Sequence, residues 1–176
     1  METTGVVRRI DDLGRIVIPK EIRRTLGIKE GASLEIFLDK DMVGLKKHSL
    51  MNNLRDFAEL YVDSINQALG SSVIITDNDS IIACSGVSKK DYIGAHISDY
   101  LEQCMLKRAS VVENEKKDLS LIDNKKIKVS YVIHTIVSNG DAAGLVVILS
   151  NNDRITELEN KTALVAAYFL GKHIEQ

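Results

Sequence analysis

The sequence predicts an α+β protein built from a short N-terminal β domain and a larger C-terminal α/β domain. Turn residues divide the first fifty positions into short apolar strands. Beyond them, apolar stripes at helical spacing alternate with segments of β-strand periodicity. Hydrophobic residues make up 44% and charged residues 27% of the 176 positions, which is typical of a chain with a folded core. We therefore expect a β domain at residues 1–50, a linker helix at 51–70 and an α/β domain at 71–176.

The sequence also excludes membrane and disulfide-rich classes. No apolar run approaches the roughly 18 residues that a membrane span needs, and the N-terminus lacks the pattern of a signal peptide. We expect a cytoplasmic protein with no membrane partner. Cys84 and Cys104 are isolated from each other, and the cytoplasm is reducing, so we predict two free thiols.

No residue pattern indicates catalysis, a metal site or a cofactor. The chain has no phosphate-cradling glycine loop, no metal-ligand spacing and no catalytic triad order. Its four histidines are scattered, and each is better explained as a surface or core residue than as a ligand: His48, His96, His134 and His173. We predict a non-enzyme with no cofactor, no catalytic residues and no metal.

The first fifty residues begin with a predicted hairpin. Residues 5–10 and 15–18 are strand-like, and residues 11–14 between them form a turn in which Gly14 can take a positive φ. Pro19 ends the second strand and opens a short helix over 20–26, because its fixed φ suits the first helical turn. Gly27 is placed to end that helix, with Ile28 packing back on it. Two further strands are predicted at 32–38 and 42–47.

A unit of this size buries too little apolar surface to be stable alone. The sequence offers it neither a disulfide nor a metal. Oligomerisation remains, most simply a two-fold dimer whose strands are exchanged between subunits. Such a dimer would present every charged group of the unit twice.

The chain's arginines are concentrated at its start. Five of the eight lie within the first 24 residues, namely Arg8, Arg9, Arg15, Arg23 and Arg24. The guanidinium group presents a planar fork that fits phosphates and guanine edges. Charged residues on a small β unit are also often only solvated, or paired with neighbours such as Asp11, Asp12 and Glu21. Convergence of arginines from a hairpin and from the helix after it favours an anion-binding surface.

The N-terminal segment resembles a known family. Residues 4–28 read TGVVRRIDDLGRIVIPKEIRRTLGI, and they resemble the N-terminal domain of the AbrB family of bacterial transition-state regulators. Turn, proline, arginines and helix-ending glycine match in order, and the likeness continues at 34–37 and 45–47. The resemblance implies a swapped-hairpin β dimer that binds double-stranded DNA. It implies DNA contacts at Arg8, Arg15, Arg23 and Arg24, with Arg9 as a weaker member of the set.

The second domain is predicted to run helix, hairpin, helix, long hairpin, helix. Helical spacing predicts a helix over 54–69, packed either on its own domain or across a dimer. Strands follow at 72–76 and 81–84, then an irregular segment at 91–94 and a helix from the Ser98 cap to about residue 108. A charged loop at 113–118 precedes strands at 127–137 and 142–149. These two strands are joined by the Asn139-Gly140 turn signal, and the second is apolar enough to be central.

The last helix is predicted to begin at an Asn152 or Asp153 cap and to reach about residue 173. One apolar stripe consists of Ile155, Leu158, Val165 and Phe169, and further apolar residues lie beside it. A helix that is apolar on more than one side is buried on more than one side. We therefore expect this helix between its own sheet and a partner helix.

This order of elements resembles GAF or PAS sensor domains. Residues 88–92, 136–141 and 144–149 extend the likeness to sporulation regulators in which an AbrB-type domain precedes a GAF-like domain. The resemblance implies a homotetramer that acts as activator or repressor of late, forespore-stage genes. It also implies a pocket, whose candidate lining is Cys84, Ser85, Tyr92 and Tyr131. Whether an unknown small-molecule effector binds there, or the domain serves assembly alone, is left open.

Two other functions, antitoxin and enzyme, compete with the regulator hypothesis. The same β fold occurs in antitoxins, but an antitoxin usually carries a short disordered tail, whereas here about 125 patterned residues follow. An enzyme built on the second domain would need a nucleophile, base or metal arrangement that the sequence does not offer. The leading hypothesis is a DNA-binding transcription regulator with loose sequence preference.

Overall fold

The computed structural model describes residues 5–28, 30, 34–47 and 55–175. The chain divides into two compact units, residues 1–48 and residues 49–176. His48, one of the histidines considered above, lies outside the described residues.

The first unit contains the predicted turn, short helix and C-terminal hairpin. In the turn, the Asp11 amide donates to the Arg15 carbonyl at 3.0 Å, and Gly14 has a φ of +74°. Helix α1 spans Lys20–Thr25 directly after Pro19. Strands β1 (Leu34–Asp39) and β2 (Met42–Lys47) pair as an antiparallel hairpin.

The end of α1 confirms the predicted glycine cap. Gly27 has a φ of +59°, which costs a glycine little. The Ile28 amide donates to the Arg23 carbonyl at 2.7 Å, and the Gly27 amide donates to the Arg24 carbonyl at 3.3 Å. These two bonds satisfy carbonyls that would otherwise be left without partners at the end of the helix.

The predicted N-terminal strands are not paired within one chain. Residues 5–10 and 15–18 flank the turn, yet the described part of the chain forms no strand ladder over 5–18. Their apolar side chains face solvent, with Val7 91% exposed, Val17 75% exposed and Ile10 70% exposed. A strand needs a partner for its backbone groups, and one chain does not supply it here.

The second unit is built on a five-stranded antiparallel sheet with the strand order β4-β3-β7-β6-β5. Its strands are β3 (Ser72–Thr76), β4 (Ile81–Ser85), β5 (Ser110–Ile122), β6 (Lys125–Ser138) and β7 (Asp141–Leu149). The apolar strand β7 is central, as predicted. Asn139 and Gly140 link β6 to β7 with φ angles of +50° and +85°, which are typical of a tight hairpin turn.

Helices cover both faces of this sheet. Helices α2 (Arg55–Leu69) and α5 (Glu157–Ile174) lie on one face, where Ala58, Val62, Ala163 and Leu170 belong to one apolar cluster with inward residues of the strands. Helices α3 (Lys89–Tyr92) and α4 (Asp99–Leu106) cover the other face. Helix α2 therefore packs on its own sheet, which was one of the two arrangements the sequence left open.

Three local predictions are wrong. Residues 113–118 are not a loop but the middle of β5, whose charged side chains are tolerated because β5 is an edge strand with a register shift between Glu113 and Lys117. The segment predicted as irregular includes the end of α3. Helix α5 begins later than expected, because Thr156 and Glu159 form a capping box that Asn152 and Asp153 do not.

Helix α5 turns its small residues and Leu170 to the sheet and leaves most of its large apolar residues exposed. Ala163, Ala166, Ala167 and Gly171 are buried. The predicted stripe is mostly exposed in the single chain: Leu158 is 63%, Val165 60% and Phe169 44% exposed, and only Ile155 is buried. Within the described residues, no helix is both long and apolar enough to cross a bilayer.

Candidate nucleic-acid interface

The turn at residues 11–15 is organised by the Asp11 carboxylate. Its Oδ1 accepts hydrogen bonds from the amides of Leu13 at 3.0 Å and Arg15 at 2.7 Å. Its Oδ2 accepts from the Arg15 guanidinium Nε at 2.8 Å. The backbone and side-chain hydrogen bonds from Arg15 lower the pKa of the Asp11 carboxyl. Asp11 is therefore ionised at neutral pH and holds the Arg15 side chain at Nε.

This contact leaves Arg15 available to a ligand. The bond to Asp11 uses one of the five guanidinium N–H groups, and the Arg15 side chain is 71% exposed. An exposed ion pair of this kind contributes little to stability. Arg15 is thus held at Nε, and the fork formed by its two terminal nitrogens faces solvent.

Helix α1 positions two more arginines. Arg23 and Arg24 lie in its last turn, and both are exposed. A shallow cleft of about 320 Å³ lies beside the helix and is lined by Lys20, Glu21, Arg24 and Thr25. Two of these four residues are basic and one is acidic, so the cleft itself has a small positive balance.

The five predicted site residues are all exposed. Arg8 and Arg9 lie on the extended segment before the turn, Arg15 lies at the turn, and Arg23 and Arg24 lie on α1. Only Arg15 forms an ion pair with a carboxylate from the described part of the chain. The five guanidinium groups are therefore distributed over two local elements of one unit, the turn with its flanking segments and α1.

The candidate pocket lining of the second unit is packed. Cys84, Tyr92 and Tyr131 are buried in the apolar cluster between the sheet and α3 and α4. Ser85 does not join them, because it follows Cys84 on β4 and faces the other side of the sheet. Its interaction with Asp63 of α2 is the main cause of the lowered pKa of Asp63. Burial raises the pKa of Cys84, which keeps its thiol protonated.

Two polar contacts in this region have no clear signal in the sequence. The Tyr100 and Tyr131 hydroxyls lie 3.0 Å apart, and burial together with this bond raises the pKa of Tyr100. Lys125 lies over the Tyr92 ring, 4.4 Å from its centroid, and pairs with Asp91 at 3.3 Å. Both contacts join elements distant in sequence, so spacing alone could not reveal them.

A buried histidine links the sheet to α5. His134 is 5% exposed, with Nδ1 at 3.0 Å from Ser110 Oγ and Nε2 at 2.8 Å from Asn160 Oδ1. Both ring nitrogens therefore have partners, and the residue is a satisfied core histidine, as the sequence suggested for such positions. The described residues contain no group of three or more histidine, cysteine, aspartate or glutamate side chains that could hold a metal ion.

Family models match both units. Residues 53–175 match the model described as "Stage V sporulation protein T C-terminal, transcription factor". Residues 7–48 match the model described as "Antidote-toxin recognition MazE, bacterial antitoxin". The first match covers most of the second unit, and the second match covers the turn, α1 and the β1–β2 hairpin.

Two curated proteins of Bacillus subtilis (strain 168) are similar to the chain. Stage V sporulation protein T is 51% identical over 178 aligned positions, which cover 100% of both chains. The transition state regulatory protein AbrB is 43% identical over 74 residues, covering 42% of this chain and 77% of that protein. The likeness to AbrB supports the resemblance inferred from the N-terminal residues.

The second unit has the fold of a GAF domain. The GAF domain of an Acinetobacter phosphoenolpyruvate-protein phosphotransferase superposes with a TM-score of 0.58 at 12% identity, covering 73% of this chain and 84% of that one. At such identity the likeness concerns the fold alone. Together, the full-length relative and the model matched over residues 53–175 show that the chain belongs to the stage V sporulation protein T family of transcription factors.

Proposed function

We propose that this protein is a sporulation regulator that binds double-stranded DNA through Arg8, Arg15, Arg23 and Arg24 of an intertwined dimer, with Arg9 as a weaker contact. The observation that carries the proposal is the exposure of all five guanidinium groups, with terminal nitrogens free of carboxylate partners among the described residues. Phosphate contacts would supply affinity, and base edges or groove shape would supply a loose sequence preference. By family likeness, its targets would be late, forespore-stage genes.

The dimer is supported by the unpaired strands of the first unit. Val7, Ile10 and Val17 flank the turn and are exposed within one chain. Pairing of residues 5–10 and 15–18 with those of a second copy would satisfy their backbone groups and bury these side chains. The same pairing would gather ten arginines onto one dimer.

A second contact between copies is proposed at α5. Its outer face presents Leu158, Val165, Tyr168 and Phe169, and Phe169 stacks on Phe57 and Tyr61 of α2 with ring centroids 5.8 and 5.7 Å apart. Monomeric proteins rarely expose apolar residues in such continuity. A helix of another copy packed on this face would join two dimers into a tetramer.

The GAF-like unit would serve assembly rather than effector binding. Cys84, Tyr92 and Tyr131 fill the space that the sequence suggested as a pocket, and each is at most 5% exposed. A small-molecule effector would have to displace packed side chains of the apolar cluster, at a cost in core packing. Heat-stability screening of the full chain against small metabolites would test this, because a true effector raises Tm by mass action.

The DNA proposal is tested by substituting Arg8 and Arg15 together with alanine. We expect the affinity for a labelled DNA duplex to fall at least about a hundredfold, because four guanidinium contacts per dimer are lost. Fluorescence anisotropy measures the affinity, and light scattering checks that the oligomer is unchanged.

The matched control removes two exposed lysines of the second unit, in Lys126→Ala combined with Lys128→Ala. It deletes the same positive charge from the chain and should leave the affinity within about threefold of the original, because these lysines do not belong to the proposed arginine surface and solvent-exposed charges outside direct contact are screened by salt. Full-affinity binding by the arginine variant, or equal losses in both variants, would contradict the proposed interface.

The match to the MazE model supports antitoxin as a second candidate function. It rests on residues 7–48 alone, whereas the relationship to stage V sporulation protein T extends over the whole chain. Co-purification of a small toxin in fixed ratio from the native host would favour the antitoxin. Chromatin enrichment at late sporulation promoters would favour the regulator.

A further inference from the structure

Asp11 holds both the backbone of the turn and the side chain of Arg15. One carboxylate oxygen accepts from two amides of the turn, and the other accepts from Arg15 Nε at 2.8 Å. The same side chain therefore fixes the backbone of the turn and the direction of the guanidinium. The carboxylate side chain is itself partly shielded, at 38% exposed.

Holding Arg15 at Nε has a chemical consequence. The free edge, formed by the two terminal nitrogens, is the edge that binds guanine O6 and N7, or two phosphate oxygens, in bidentate fashion. An unrestrained arginine at an exposed turn would lose rotamer freedom on binding. An arginine whose Nε is already held by a carboxylate loses less rotamer freedom.

The negative charge of Asp11 weakens DNA binding, whereas its orientation of Arg15 favours binding. A carboxylate beside a DNA-binding surface repels phosphates, so its removal alone should tighten binding to DNA of any sequence. Orientation of Arg15 affects its bidentate contacts, and among these only the contacts to base edges carry sequence information. The two effects therefore differ in sign and in sequence dependence, and an experiment can separate them.

We propose that Asp11 is a positioning residue for DNA recognition, which sets the sequence preference of the regulator by aiming the terminal nitrogens of Arg15 at a base edge. This inference rests on the proposed function. It assigns to Asp11 a role in selectivity at the expense of general affinity.

Asp11→Asn is the informative substitution. Asparagine keeps a carbonyl oxygen that accepts from the Leu13 and Arg15 amides, but its amide nitrogen cannot accept from Arg15 Nε. Asp12→Asn is the matched control, because Asp12 is an exposed carboxylate in the same turn and forms no hydrogen bond with another described residue. Both variants change the charge equally.

The probes are two duplexes: one enriched from a random-sequence pool by the unmodified full-length protein, and one with the same composition in scrambled order. Asp12→Asn should tighten binding to both and leave their affinity ratio unchanged. Asp11→Asn should lower the ratio at least about fivefold, the lower end of what one bidentate arginine contact contributes to discrimination. Thermal melting confirms that both variants remain folded.

A second readout excludes a purely structural role. In an Arg15→Ala background, Asp11→Asn should no longer change the ratio, because there is no guanidinium left to orient. Equal behaviour of Asp11→Asn and Asp12→Asn, or an undiminished effect without Arg15, would overturn the inference. If Arg15→Ala itself keeps full affinity and selectivity, the proposed DNA contact of Arg15 is wrong. This result differs from one in which Arg15→Ala weakens binding but Asp11→Asn leaves selectivity unchanged, which would contradict only the role of Asp11.

Discussion

At the scale of single residues, Glu159 shows how one buried carboxylate joins distant elements. It is 3% exposed, accepts from Ser71 Oγ at 2.5 Å, and accepts from the Thr156 amide and hydroxyl at 2.7 and 2.8 Å. Burial opposes its ionisation, but the hydrogen bonds from Ser71 and Thr156 outweigh burial and lower its pKa. Glu159 thus fixes the start of α5 to the segment between α2 and β3.

Removal of this carboxylate should destabilise the second unit. Glu159→Ala is expected to lower the free energy of unfolding by about 2 kcal/mol, because a helix cap and a buried charge-assisted bond are lost together. Glu157→Gln is the control, since Glu157 is exposed and forms only an i,i+4 ion pair with Lys161. Urea unfolding at fixed chain concentration measures both, and equal stabilities would contradict the role given to Glu159.

The same residue predicts a dependence on acid. Because the folded-state pKa of Glu159 is depressed, its stabilisation is present above its unfolded-state pKa of about 4.3 and is lost as the pH falls through the lower folded-state value. The stability difference between the unmodified protein and Glu159→Gln should therefore shrink on going from neutral to strongly acidic pH. A constant difference, measured by urea unfolding across that range, would contradict it.

Gly171 gives a prediction that helix propensity alone would reverse. Alanine is the better helix former by about 1 kcal/mol. A Cβ at position 171, however, would collide with the backbone carbonyl of Val137, so Gly171→Ala should destabilise the protein by about 1–3 kcal/mol. Lys172→Ala, at the next and exposed position, should change stability by less than about 0.5 kcal/mol. A stabilised Gly171→Ala protein would show that α5 does not pack this closely on β6.

The backbone conformation of a residue was predictable where the residue type itself favours that conformation. The residue type indicates a positive φ angle at Gly14, at Gly27 and at the Asn139-Gly140 pair, and the structure has one at each. The sequence offered three acidic neighbours as partners for Arg15, and the structure shows that Asp11 is the one. The sequence alone could not decide this, because a flexible side chain can reach several carboxylates. Ser85 was grouped with Cys84, although neighbouring residues of a strand face opposite sides of the sheet.

At the scale of elements, the proposed tetramer depends on which side of α5 faces the sheet. The buried side of α5 consists mainly of alanine and glycine, with Leu170 among them, so the helix lies close to the sheet, and most of its large apolar residues remain exposed. The sequence predicted apolar residues on more than one side, but it could not show which side meets the sheet. The structure assigns the small residues to that side.

A charge on the outer face of α5 should therefore divide the assembly without unfolding the unit. Val165 is 60% exposed, and we expect Val165→Glu to convert a tetramer of 19.5 kDa chains into dimers. Lys126→Glu, at an exposed position of β6 and outside this face, is the control for charge. Light scattering measures the mass, and a mass unchanged by Val165→Glu would rule out this face as an interface.

The remaining elements show where periodicity succeeds and where it fails. Strand β7 was predicted as central because it is apolar on both of its faces. Strand β5 was missed over 113–118 because edge strands tolerate charge, and its ion pairs, such as Lys117 with Glu113 at 2.7 Å, cannot be read from the sequence. The Thr156–Glu159 capping box was present in the sequence, but earlier cap residues competed with it.

At the scale of the whole molecule, DNA binding should depend steeply on salt. A dimer that neutralises six to eight phosphates should show log K falling with log salt concentration at a slope of roughly −5 to −7. Arg24→Ala removes two cations per dimer and should reduce that slope by about 2. Titrations at several salt concentrations measure it, and a shallow slope for the unmodified protein would exclude a phosphate-dominated interface.

The proposed DNA-binding surface requires completion of the first unit by a second copy. Hydrogen–deuterium exchange of the full chain, read by mass spectrometry, tests this at residues 5–18, where one chain forms no ladder. We predict that peptides from this segment exchange as slowly as those from the β1–β2 hairpin, because intermolecular strands protect their amides. Exchange as fast as in an unfolded peptide, at concentrations where the protein is oligomeric, would contradict the intertwined dimer and the arginine surface built on it.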